Sequence, residues 1–139
     1  VDRGMIAAKK HSAVTEDTIR QLVDTFYDKV RRDPELGPVF EAAINDWPPH
    51  LEKMYAFWSS VMLGSGRYKG NPLAQHMGIG GMRFELFADW LKLFHQTAAE
   101  LFDEPVSAVF REKAERIAES LKLALFYRPD RPWPPRTAA

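Results

Sequence analysis

The chain has 139 residues, the length of one domain with one substantial core. It holds 19 Lys plus Arg and 19 Asp plus Glu, so its formal charge is zero and nothing marks it for nucleic acid or an anionic membrane. Cysteine is absent, which excludes disulfides, thiolate nucleophiles and Cys-based metal sites. There is no apolar run of about 18 residues to span a membrane, and the first residues, VDRGMIAAKKHSAV, lack the apolar core of a signal peptide. With no cysteine to oxidise, a reducing cytoplasm is the expected location.

Taken in order, residues 1–14 read as a loose arm. Thr15, followed by Glu16 and Asp17, signals a helix start, since acids are favoured in the first turn. Ile19, Leu22, Val23, Phe26, Tyr27 and Val30 then recur at helical spacing, and Asp33-Pro34 ends the helix. The stretch PELGPVFEAAI predicts one or two short turns broken at Gly37-Pro38. A second long helix is expected from Trp47-Pro48-Pro49, capped by Asn45 or Asp46, to about Leu63, with Gly64 and Gly66 stopping it. It carries two apolar rows, one of Leu51, Tyr55, Trp58 and Met62, the other of His50, Met54, Phe57 and Val61, so both sides must be covered. A third long helix is expected over roughly 83–102 and a fourth over about 105–127, followed by a proline-rich, extended tail over 128–139. No segment alternates with period two, so the fold class is all-α, with one domain over 15–127.

Between the second and third long helices lies GRYKGNPLAQHMGIGG, a glycine- and proline-broken stretch with one histidine, His76. Three more residues sit on faces that otherwise read as core: Tyr27, His50 and Trp90. Each taken alone reads first as a structural residue, because a buried Tyr or Trp finds a local partner for its O–H or N–H. His50 also suits an exposed first turn. His11 falls in the arm, and His95, after Phe94, reads as a satisfied surface residue.

As an ordered set these pieces resemble a known family. FYDKV with RRDPELGPVF, WPPHLEKMYAFW, YKGNPLAQH and FADWLKLF are similar, in that order and at those separations, to segments of the truncated haemoglobins. YKGNPLAQH matches that family's Tyr-x-Gly-x-x-(Leu/Met)-x-x-His signature. The chain has no Gly-Gly motif before its second helix, unlike groups I and II, and with His50 and Trp90 it resembles group III. The likeness covers about residues 15–127 and implies a two-over-two helical sandwich around haem b (iron protoporphyrin IX).

The resemblance also implies roles. His76 would be the proximal iron ligand, its second ring nitrogen held by a carbonyl or water, and Leu73 would pack on the porphyrin one turn earlier. Phe40, Met54 and Phe57 would supply apolar walls, although all three also read as ordinary core. Lys53 and Tyr68 would meet the propionates, although Lys53 reads equally as a solvated side chain. Tyr27 and Trp90 would donate hydrogen bonds to dioxygen held in the pocket. His50 would act as a swinging gate and Met54 as a wall beside the ligand.

Expected partners are therefore dioxygen, NO, CO or similar small ligands, with a reductase if NO or peroxide is turned over. Neither nucleic acid nor membrane is expected. Two other classes remain beside this reading, a haem-based sensor or regulatory subunit and a haem-free helical interaction module. GIGG follows no strand and so is no nucleotide fingerprint.

Overall fold

The computed structural model describes residues 9–70 and 82–135. His76 and Leu73 lie outside the described residues. Among these residues there are five helices and no strand: α1 (Glu16–Arg32), α2 (Leu36–Ala43), α3 (Trp47–Leu63), α4 (Leu86–Leu101) and α5 (Glu104–Phe126).

α1 starts where the sequence places it. The Thr18 N–H donates to Thr15 Oγ1 at 3.1 Å and the Thr15 N–H donates back to Thr18 Oγ1 at 2.8 Å, a reciprocal cap. Its expected stripe is buried in full, from Ile19 to Val30. This stripe makes α1 the centre of the fold, packed against α2, α3 and α4, while α4 packs along α5. Phe26 meets the rings of Trp90 and Phe94 edge-on at 5.6 and 5.3 Å.

α2 departs from expectation: Gly37-Pro38 does not break it. Both residues occupy its first turn, where N–H groups have no helical acceptor, so the missing proline donor costs nothing. Gly37 is there for contact. A Cβ at that position would lie 2.6 Å from the Arg31 carbonyl oxygen, so only glycine lets α2 turn so closely off the end of α1.

α3 begins at Trp47 with prolines following, and Gly64 ends it in the left-handed region at φ 63°. Asp46 precedes it but its side chain makes no capping bond. Both sides of α3 are covered, as its double stripe requires. Tyr55 donates a hydrogen bond to Asp24 of α1, and Trp58 stacks on Phe94 of α4 at 4.9 Å and tilts against Phe110 of α5 at 5.8 Å. α4 starts at Leu86 rather than near Arg83. Residues 84–85 form a turn whose bonds, such as Leu86 N–H to the Arg83 carbonyl at 3.0 Å, are shorter in sequence reach than those of an α-helix.

Residues 9–14 are tied to the domain. His11 donates its N–H to the Leu101 carbonyl at 2.8 Å and accepts from the Asp103 N–H at 2.9 Å. Its ring nitrogen lies 2.7 Å from Gln21 Oε1. At the other end, Trp133 packs against Phe84 and Tyr127 at 5.9 and 6.0 Å. No helix among the described residues is long and apolar enough to cross a membrane.

Candidate functional site

Helical spacing brings the expected distal residues together. Tyr27 faces inward from α1, Met54 and Phe57 from α3, and Trp90 from α4. With Phe26, Trp58 and Ile117 they line a small cavity of about 20 Å³, room for one water-sized molecule. Met54 and Trp90 are each 5% exposed. The walls are almost wholly apolar, and the polar atoms they offer are donors at Tyr27 and Trp90.

Trp90 stacks nearly parallel on Phe94 at 6.1 Å and meets Phe26 edge-on, so its plane is fixed by packing. Its Nε1–H is buried and has no hydrogen-bond acceptor among the described residues. Leaving such a donor unpaired costs about 1–3 kcal/mol, and a ligand with a polar end would recover that cost. Tyr27 is buried, which holds its phenol well above the usual range and keeps it a neutral O–H donor.

Tyr27 also links the cavity to a second group of rings. Phe40, fully buried on α2, lies 6.2 Å from it. His50 meets it edge-on at 5.3 Å, and Trp47 tilts against it at 5.8 Å. Tyr27, His50, Met54, Phe57, Trp90 and Phe40 thus lie in one region. Lys53 stands apart. It is exposed on α3 and makes no ion pair among the described residues.

Tyr68 is tied to the same region through Phe57, whose ring it meets edge-on at 5.3 Å. Its N–H donates to Ser60 Oγ at 2.9 Å. Its hydroxyl is buried without a hydrogen-bond partner among the described residues, and burial pushes its phenol upward. A Cβ on Gly70 would lie 2.7 Å from that oxygen, so Gly70 gives the tyrosine its room. The stretch is clasped to α1: buried Ser59 donates to Glu16 at 2.7 Å and pairs with Ser65 at 2.7 Å, and Arg67 also bonds Glu16.

Trp47, Trp58, Phe26 and Ile117 belong to the site but did not stand out in the sequence. Phe26, Trp58 and Ile117 fall on core-facing rows, and periodicity alone cannot separate a cavity wall from a core. Trp47 reads as a helix start. His95 is half-buried on α4 and lies 3.0 Å from Glu115 of α5, remote from the cavity lining. No group of three or more His, Asp or Glu residues able to hold a metal occurs among the described residues.

Comparison with known proteins gives this arrangement a family. The bacterial-like globin family model matches residues 13–125. The group 3 truncated hemoglobin ctb of Campylobacter jejuni is 34% identical over 121 residues, covering 84% of this chain and 95% of that protein. The crystal structure of the group III truncated hemoglobin from Campylobacter jejuni superposes with a TM-score of 0.80 at 34% identity, over 85% of this chain and 96% of that one. The chain belongs to the bacterial-like globin family, with the truncated globin fold, and its likeness within that family is to the group III truncated haemoglobins.

Proposed function

We propose that this globin takes haem b, with His76 as the iron ligand, and reversibly binds dioxygen or a similar diatomic molecule in the pocket of Tyr27, Met54 and Trp90. The supporting observation is the buried indole N–H of Trp90, without a partner among the described residues, on a small apolar cavity. Fixed donors in a dry space suit a small ligand with a polar end. The residues present also fit the cofactor. Phe40, Met54, Phe57 and Leu73 offer apolar surface to a large flat ring, whose burial stabilises at about 25 cal/mol per Å². Tyr68 and Lys53 offer a hydroxyl and an ammonium to its acidic edge.

When bound, haem supplies an iron centre that takes diatomic ligands and exchanges electrons. Tyr27 and Trp90 hold their donors in place, and a bond from either to a ligand carrying partial negative charge is worth about 1–3 kcal/mol. That slows the departure of dioxygen and leaves the less polar CO unaided. Met54 walls the ligand. His50, at the first turn of α3 and against Tyr27, gates the pocket.

The test is the optical spectrum of the haem-loaded protein in ferric, ferrous and ferrous-CO forms. A Soret band and a five-coordinate ferrous spectrum are expected. No Soret band after haem addition would leave a helical interaction module instead. Rapid mixing of the oxygenated form with NO then separates turnover from simple binding.

A further inference from the structure

We infer that Trp47, braced by Arg31, is a positioning residue that sets the resting place of His50 and so the ease with which a small ligand reaches the pocket. This rests on the haem-pocket reading and on His50 as its gate, and it names what holds the gate.

Tyr27, Trp47 and His50 form a closed triangle of rings. Their centroids lie 5.3 Å (Tyr27–His50), 5.6 Å (Trp47–His50) and 5.8 Å (Tyr27–Trp47) apart. His50 meets each neighbour edge-on at 88°, an arrangement aromatic rings prefer. Trp47 and His50 are three residues apart on α3, and so share a face. Pro48 and Pro49 lie between them and fix the local backbone angle, so the indole stands on a stiff base.

Arg31 closes the arrangement. It lies one turn after Tyr27 on α1, and its guanidinium carbon sits 4.5 Å from the centre of the Trp47 ring. Its Nε donates to Glu41 of α2 at 2.8 Å. Helices α1, α2 and α3 therefore all contribute to holding one indole. The Trp47 Nε1–H is buried with no hydrogen-bond acceptor among the described residues. Among the described residues, ring packing and the cation hold it.

His50 cannot change place without giving up one or both of its edge contacts. Loosening Trp47 raises the fraction of molecules in which His50 is displaced, and ligand access rises in proportion. Tyr27 also has Phe26 and Phe40 against it, so its control over ligand release persists.

The experiment uses the haem-loaded protein and CO rebinding after flash photolysis. Arg31→Gln should speed association about two- to five-fold, the loss expected for one partly exposed cation–π contact. Glu41→Gln should do less, because the cation stays. Trp47→Leu should reach up to about tenfold. In a His50→Ala background, Arg31→Gln should add nothing. Proton NMR of the diamagnetic CO complex gives a second readout. The His50 ring signals, shifted by the Trp47 ring, should move in Arg31→Gln. Unchanged rates and unchanged His50 signals in that variant would overturn the inference, as would full additivity with His50→Ala. Arg31 is partly exposed, so this arm stands even if Trp47→Leu does not fold. A wild-type protein without a Soret band would instead sink the haem reading, a separate and visible failure.

Discussion

Trp90→Phe separates a ligand donor from a core ring. The substitution keeps an aromatic ring against Phe26 and Phe94, at 5.6 and 6.1 Å in the wild type, and removes one N–H. That N–H has no acceptor among the described residues, so its loss strands no acceptor there. The smaller ring enlarges a cavity of about 20 Å³, and a buried aromatic shortened this way costs about 1–2 kcal/mol of fold stability, well below full truncation to alanine. The lost bond to dioxygen, if worth about 1.4 kcal/mol, speeds dissociation about tenfold. CO gains little from the donor, so its dissociation should stay within about two-fold. Stopped-flow displacement of each ligand from the haem-loaded protein gives the two rates. The outcome that refutes the reasoning is a parallel shift of both, which would make Trp90 a packing residue alone.

Tyr27→Phe should speed oxygen dissociation strongly with CO dissociation nearly unchanged, while His50→Ala should chiefly alter association rates; flash photolysis and stopped flow on both decide, and reversed effects would undo the assignment of donor and gate. His76→Ala should lose normal haem attachment and regain a ferrous-CO spectrum when imidazole is added, whereas a wild-type spectrum without imidazole would place the iron ligand elsewhere. The Tyr55 hydroxyl is pushed up to about 12, first by burial and then by its bond to Asp24. The fold thus favours its neutral form, so this contribution is intact below the ordinary phenol value of 10.0 and declines as pH rises from there towards 12. Urea midpoints measured across that range should fall less steeply in Tyr55→Phe, and identical slopes would count against it.

Long helices with one clear stripe were legible in the sequence. α1 needs nothing beyond Thr15 and the Ile19-to-Val30 spacing to be drawn. The grouping of Tyr27, Met54 and Trp90 was legible because helical spacing sets the face, and the family pattern sets which faces meet. Gly37 was not. Its purpose is the closeness of the Arg31 carbonyl, a contact between two elements that no local pattern encodes. The start of α4 was misplaced for a related reason: Arg83, Phe84 and Glu85 suit a helix by type, yet the chain turns there with three-residue bonds. Trp47 reads as a helix opener because proline follows it. Its place between Arg31 and His50 depends on how α1 and α3 cross, which spacing along one helix cannot give.

The bridge between His11 and Phe102 bears on how the chain assembles. The two partners are about ninety residues apart, so this contact closes one of the longest loops available to the chain, and such closures come late because their entropy must be met before they stabilise anything. On a ribosome the arm emerges well before α4 and finds its site only after α4 has been made and has docked. Until then His11 has no backbone to bind, and the segment ahead of α1 waits in water. Closing that loop ties the first-made part of the domain to the junction of the last two helices. Hydrogen exchange during refolding should accordingly protect α1 before it protects His11 and Asp103.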